Sequence, residues 1–216
     1  MAEVPSVFLI VAILLAAATQ SSAEVAQGAA ESKVPDIEKF LQINSTILSV
    51  VLNGNSEELC KIDHIEYTDK THTLFTRQNL DGNRFPRGSK KRIESRPKAL
   101  EGQFTSTSPA HQYGEPYDGM KVRPKESVSG TSSYLTSEVI DEQSEDDRCA
   151  KFSVKPLLRR PQQDPRLIQE LRVRVSEEDG DNLLSCSLRT SERDGQLLEI
   201  CRREMLKKLS RRQQSL

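Results

Sequence analysis

Hydrophobic and polar residues alternate most clearly in the segment 169–175. Successive side chains of an extended chain point to opposite faces, so this alternation predicts a β-strand. One face carries Leu171, Val173 and Val175, and the other carries Glu170, Arg172 and Arg174. Four further segments have the apolar, β-branched composition of strands and are bounded by turn residues or charges. These segments are 47–52, 60–67, 71–77 and 149–154.

Two segments have helical signatures. Pro35 precedes 36–41, a short helical turn with an acidic residue near its positive N-terminal end. From Glu192 onward, apolar residues recur near one face and basic residues occupy the other, which predicts an amphipathic C-terminal helix. Its apolar positions are Leu197, Ile200, Cys201, Met205 and Leu209. We expect this helix to pack against a sheet rather than a membrane.

The middle of the chain, 78–148, is poor in core-forming residues. Only ten of its 71 residues are Leu, Ile, Val or Phe, a share below that of most folded domains. This polar segment is compatible with short strands joined by long loops, or with partial disorder. The pattern alone favours neither alternative.

The N-terminus predicts secretion. Twelve consecutive apolar residues, 7–18, are followed by a polar stretch, with small residues at Ser21 and Ala23 before Glu24. This is the arrangement of a cleaved signal peptide at 1–23, because twelve residues are too few to span a bilayer. A flexible leader at 24–33, a domain at 34–209 and a tail at 210–216 complete the predicted organisation. We expect an extracellular protein.

The cysteines fit the same compartment. Cys60, Cys149, Cys186 and Cys201 form an even set, and an oxidising environment favours two disulfides with three possible pairings. Their spacing does not suit a metal site, and no metal or other cofactor is expected. Asn44 begins an Asn-Ser-Thr sequon, which predicts a glycosylation site.

Composition disfavours several function classes. The net charge of −1 gives no basic field for nucleic acid, and no second apolar run is long enough for a membrane span. The chain has no Gly-x-Ser-x-Gly, His-Glu-x-x-His or phosphate-binding glycine loop, so we expect no enzyme activity. We expect a monomer with no nucleic-acid or membrane partner.

The order of elements resembles a known family. The resemblance lies in 35–41 ahead of an apolar strand, Cys60 in the next strand, 149–154, Glu170-Leu171 before an alternating strand, Cys186, and the helical Cys201. In these features the chain resembles the tick salivary lipocalins, which include the histamine-binding proteins. The resemblance implies an eight-stranded antiparallel barrel, mostly β, with a short N-terminal helix and a C-terminal helix. The composition of 78–148 adds the expectation of a weakly ordered middle. The resemblance also implies the disulfides Cys60–Cys201 and Cys149–Cys186, and sequestration of a small host mediator, a biogenic amine such as histamine.

The ligand class is the open question in this resemblance. Amine-binding members tend to carry an acid directly after the second cysteine and Trp or Tyr after Glu-Leu; these positions are Ala150 and Arg172 here. Glu170 is a candidate amine ligand, with a solvated strand position as its alternative. A lipid mediator such as a fatty acid or leukotriene is the second candidate, with Arg172 or Arg174 pairing its carboxylate.

Two further functions remain open from the sequence. The barrel surface, including its charged middle, is a possible binding face for a host protein. Alternatively, the chain is a secreted precursor cleaved at dibasic sites, for which the candidates are Lys90-Lys91-Arg92, Arg159-Arg160 and Arg202-Arg203.

Overall fold

The computed structural model describes residues 33–53, 59–80, 96–112, 114–125, 133–157, 167–175 and 186–213. Within these residues eight strands form a closed antiparallel barrel in which each strand pairs with the next, and β8 pairs back with β1. The strands are β1 Thr46–Val51, β2 Cys60–Thr68, β3 His72–Asn79, β4 Lys98–Thr105, β5 Gly119–Pro124, β6 Thr136–Gln143, β7 Cys149–Pro156 and β8 Ile168–Val175. Two helices accompany them, α1 Ile37–Phe40 and α2 Glu192–Gln213.

This architecture confirms the predicted fold class. The five strands expected from alternation and β-branched runs are β1, β2, β3, β7 and β8. The polar middle supplies β4, β5 and β6, which join β3 to β7 and close the barrel. The predicted signal peptide, the leader up to residue 32, and the segments 81–95 and 126–132 lie outside the described residues.

Helix α1 packs at one end of the barrel. The Asp36 carboxylate caps the helix by accepting a hydrogen bond from the backbone N–H of Lys39 at 3.1 Å. Ile37 and Phe40 are fully buried in an apolar cluster that continues into the barrel interior. The backbone N–H of Ile37 also donates to the carbonyl oxygen of Tyr117 at 2.9 Å. We call this the α1 end of the barrel.

Helix α2 packs on the outer wall. Leu48, Val50 and Ile62 face outward from β1 and β2 and form a buried cluster with Cys201 and Met205 of the helix. The disulfide Cys60–Cys201 lies within this cluster and fixes the helix to β2. The resulting burial agrees with the prediction that the helix packs against a sheet.

One predicted member of the apolar helix face is not covered. Ile200 is 47 % exposed although its neighbour Cys201 is fully buried, because the helix turns it away from the wall. The side chain of Leu209 lies outside the described residues.

A second disulfide, Cys149–Cys186, covers a neighbouring part of the outer wall. Cys149, Leu171 and Val173 are fully buried there beneath the segment that contains Cys186 and Leu188. The pairing implied by the family resemblance is therefore confirmed for both bonds. Because the segment around Cys186 covers the apolar face of β8 from outside, the polar face that carries Glu170 and Arg172 points into the barrel.

We expect the two disulfides to differ in their contribution to stability. The chain-entropy model assigns roughly 5 kcal/mol to a bond closing 141 residues and roughly 4 kcal/mol to one closing 37, as upper values. A Cys60→Ala/Cys201→Ala variant should therefore unfold at lower urea concentration than a Cys149→Ala/Cys186→Ala variant, and both below the unmodified protein. Equal midpoints for the three proteins would contradict this expectation.

Candidate functional site

Among the described residues, six charged side chains in the barrel interior form one network of ion pairs. Residues two apart on a strand share a face, so Lys61 and Asp63 point inward with the buried Ile65. Glu138 shares the inward face of its strand with Ile140, and Glu170 is paired directly with the interior Phe152. The six residues, here called the charge ring, are Lys61, Asp63, Arg77, Glu138, Glu170 and Arg172.

The first half of the charge ring joins β2, β3 and β6. Arg77 binds Asp63 through two parallel hydrogen bonds, from Nε to Oδ1 and from Nη2 to Oδ2, both 2.8 Å. Its Nη1 atom donates to Glu138 Oε1, also at 2.8 Å. Thr136 donates to the same carboxylate oxygen at 2.8 Å. A single guanidinium thus links two carboxylates from strands that are not neighbours in the sheet.

The second half joins β6, β8 and β2. Arg172 Nη2 lies 2.6 Å from Glu138 Oε2 and 2.8 Å from Glu170 Oε2. Lys61 pairs with the other oxygen of Glu170. Because Lys61 and Asp63 lie on the same face of β2, positive and negative groups alternate around a circuit that begins and ends on that strand.

Neighbouring opposite charges favour the ionised forms of Glu138, Glu170 and Arg172 inside the barrel. Burial alone would raise the pKa of Glu138, but Arg172 and Arg77 hold it well below its usual value. Burial also opposes ionisation of Glu170, whereas Lys61 and Arg172 lower its pKa. Burial disfavours the charged form of Arg172 in turn, and Glu138 and Glu170 raise its pKa. The charge ring therefore combines three positive and three negative formal charges.

Two polar atoms beside the ring have no partner. Among the described residues, the buried side-chain atoms without a hydrogen bond are Ser49 Oγ, Arg172 Nη1 and Arg174 Nε. Ser49 and Arg172 are direct cross-strand partners on β1 and β8. The Arg172 guanidinium also covers the ring of Phe152, with its carbon 4.1 Å from the ring centroid. Phe152 thus covers one face of the Arg172 guanidinium, and Nε and Nη2 bind carboxylate oxygen. The Nη1 atom has no hydrogen-bond partner.

Arg174 has a structural role at the α1 end. Its Nη2 atom donates to the carbonyl oxygens of Lys39, Phe40 and Asp147 at 3.0, 3.2 and 2.6 Å. The bonds to Lys39 and Phe40 satisfy carbonyl groups where α1 ends, and the bond to Asp147 connects them to the turn between β6 and β7. This engagement disfavours the expectation that Arg174 pairs a ligand carboxylate.

The two predicted ligand-binding residues lie together. Glu170 and Arg172 are 0 % and 1 % exposed and bind each other, so the interpretation of Glu170 as a solvated strand residue is wrong. The amine-motif position Ala150 pairs directly with Arg172 across β7 and β8. Four further residues of the charge ring were not predicted from the sequence: Lys61, Asp63, Arg77 and Glu138. On β2 the signal was the alternation of Lys61 and Asp63 with the apolar Cys60 and Ile62. The strands that carry Arg77 and Glu138 have polar residues on both faces, so no such alternation marked them.

Two of the remaining predicted sites, Asn44 and the pair Arg202-Arg203, lie at the protein surface. Asn44 is exposed in the turn before β1 and has a φ of 61°, a backbone conformation that asparagine tolerates better than most residues. Its position is accessible, and its glycosylation stays a prediction. Arg202 and Arg203, one dibasic pair, are within α2 and both bind Glu199. The other two dibasic sites lie outside the described residues.

Comparisons with known proteins add no assignment to this geometry. Neither a protein-family model nor a curated protein sequence matches the chain. Among the described residues, no cluster of His, Cys, Asp and Glu has the arrangement of a metal site. No helix in this part of the chain is long and apolar enough to cross a membrane. The charge ring is therefore the feature from which function is argued.

Neutralising one carboxylate of the charge ring should strongly destabilise the barrel. In Glu138→Gln the shape is retained but Arg77 and Arg172 lose a shared counter-charge, so we expect a loss of about 3–5 kcal/mol in the free energy of unfolding. The matched control is Glu101→Gln, which removes a half-exposed pair with Arg123 on the outer wall and should cost less than about 1 kcal/mol. Urea unfolding measures both. Similar losses for the two variants would show that the ring is not electrostatically coupled.

Stability should decrease in acid. Glu138 and Glu170 have lowered pKa values in the folded protein, so their contribution is complete above the unfolded pKa of about 4.3 and is lost as the pH falls through the folded values. We expect a flat urea midpoint between pH 7 and about pH 5 and a progressive fall below about pH 4. Glu138→Gln should flatten that fall. An unchanged slope in the variant would contradict the assignment to Glu138.

Proposed function

We propose that this protein is a secreted carrier that sequesters a small host mediator inside its barrel. The observation that supports this function best is the charge ring in the barrel interior. Buried ion pairs add little net stability compared with apolar residues of similar volume, because desolvation offsets their attraction. Selection for ligand recognition accounts for a charged interior more directly than selection for stability.

The setting of the barrel supports the same proposal. An eight-stranded barrel is wide enough to hold one small ligand. Two disulfides are typical of proteins that function outside the cell, in agreement with the predicted signal peptide. The element order and both disulfide pairings agree with the tick salivary lipocalins, the family that the sequence resembles.

A biogenic amine such as histamine is the first candidate ligand. An ammonium group in a dry interior requires a carboxylate, and Glu170 supplies one inside the barrel. Lys61, which binds Glu170, makes a single ion pair in the ring, whereas Arg77 and Arg172 each make two. A ligand ammonium that replaces the Lys61 ammonium at Glu170 would make the same type of bond. Lys61 is therefore the group that an amine ligand would displace.

A lipid mediator is the second candidate, favoured by the other half of the interior. Between the charge ring and α1, the barrel is lined by buried apolar side chains, including Phe75, Phe104, Met120 and Phe152. An amphipathic ligand would place its apolar body among these residues and its polar group near the ring. Host-protein binding at the surface and precursor cleavage stay open as predictions without a specific observation in their favour.

The test is a binding panel on the secreted protein. Calorimetric titration with histamine, serotonin, a fatty acid and a leukotriene should identify at least one micromolar or tighter ligand. If the ligand is an amine, Glu170→Gln should weaken it more than tenfold, because the ammonium loses its carboxylate partner. Glu142→Gln, which removes an exposed carboxylate that binds Lys151 on the outer wall, should leave the affinity unchanged. A folded protein that binds none of the four would contradict the proposed function.

A further inference from the structure

The unpaired atoms of Ser49 and Arg172 form a pair of hydrogen-bond donors. The two residues lie opposite each other on β1 and β8, and both side chains are at least 99 % buried. They do not bond to each other, since both Ser49 Oγ and Arg172 Nη1 lack a partner. A buried donor without an acceptor has lost its hydrogen bond to water and gained none in return, which is unfavourable. An oxygen atom placed between the two residues would relieve that cost for both.

The charge ring determines which kind of oxygen-bearing group can bind here without leaving an uncompensated charge. The three positive and three negative members of the ring already compensate one another. A carboxylate added beside Arg172 would leave one uncompensated negative charge in a low-dielectric interior, next to Glu138 and Glu170. An ammonium group has no acceptor to offer to either donor. An uncharged oxygen satisfies the donors and leaves the balance of charge unchanged.

We propose that Ser49 Oγ and Arg172 Nη1 form a subsite for an uncharged oxygen acceptor, a carbonyl or a hydroxyl, on the bound ligand. This inference rests on the proposed carrier function and specifies one chemical group of its ligand. The Arg172 guanidinium is held in place for this contact by Phe152 on one face and by Glu138 and Glu170 along its edges. The donor is therefore oriented before a ligand arrives, which limits the entropy lost on binding.

The experiment uses three ten-carbon probes that differ only in their polar group: decan-2-one, decanoate and decylammonium. Calorimetric titration measures each against the unmodified protein and against Ser49→Ala. We expect Ser49→Ala to weaken decan-2-one about five- to tenfold, the effect of one lost hydrogen bond, and to leave decylammonium unchanged. Ser153→Ala is the matched control, because Ser153 is a β7 residue that binds Asp141 on the outer face. This variant should not change the affinity for any probe.

The unliganded variant provides a second readout. Ser49→Ala removes a buried hydroxyl that has no partner, so its thermal midpoint should equal or exceed that of the unmodified protein. A lower midpoint would show that the hydroxyl already has a partner, such as a bound water, and would overturn the subsite.

The remaining outcomes separate the subsite from the carrier function. An affinity for decan-2-one that Ser49→Ala leaves unchanged would overturn the subsite alone. Tight binding of decylammonium or decanoate without binding of the ketone would also overturn the subsite and would retain the carrier. Failure of all three probes, together with the histamine, serotonin, fatty-acid and leukotriene panel, would overturn both.

Discussion

Charge compensation inside the barrel is the constraint on which the rest of the structure depends. A lone guanidinium or carboxylate in such an interior would be costly, so each inward charge requires an opposite charge within contact distance. The compensation crosses the barrel, because Arg77 on β3 and Arg172 on β8 both bind Glu138 on β6. None of these strands are neighbours in the sheet. The charge ring therefore links opposite walls as well as filling space between them.

A charged interior changes where apolar burial takes place. Inside the barrel, buried apolar residues concentrate between the charge ring and α1, where Phe40 and Phe152 pack with ring centroids 5.5 Å apart. Two further apolar clusters lie on the outer wall, beneath α2 and beneath the segment around Cys186. Each outer cluster contains one disulfide. The two disulfides thus hold α2 and the segment around Cys186 against the outer wall, and these segments bury its apolar side chains.

The sequence predicted the position of most elements better than the direction of their faces. Alternation and turn residues located β1, β2, β3, β7 and β8, since strand periodicity is a local property. Periodicity defines two faces in 169–175 but not which face is inward. Leu171 and Val173 face outward because chain from other parts of the sequence covers them, and no local pattern reports that covering. The inward direction of Glu170 follows from the same nonlocal contact.

The ion-pair partners within the charge ring could not be predicted from local sequence patterns for a related reason. Lys61 is 109 residues from Glu170 in the sequence, and Arg77 is 61 residues from Glu138. The low apolar content of 78–148 also gave no sign of its three strands, because apolar content indicates a strand only when the strand's inward face is apolar. Within this segment the inward face includes Glu138, which contacts the guanidinium groups of Arg77 and Arg172. It also includes Gly102, where an added Cβ would lie 2.6 Å from the sulfur of Met120.

The interior differs from the amine motif of the family that the chain resembles, and Arg172 is the main difference. In the family that the chain resembles, amine-binding members tend to have an aromatic residue at the Arg172 position and an acid at the Ala150 position. Here the two positions pair directly, and Arg172 brings its own cation to Glu170 and Glu138. The chain therefore already contains the charge that an amine ligand would contribute. Under the proposed carrier function, an amine would have to displace Lys61 to reach Glu170, whereas an uncharged oxygen would bind the two unpaired donors without breaking an ion pair.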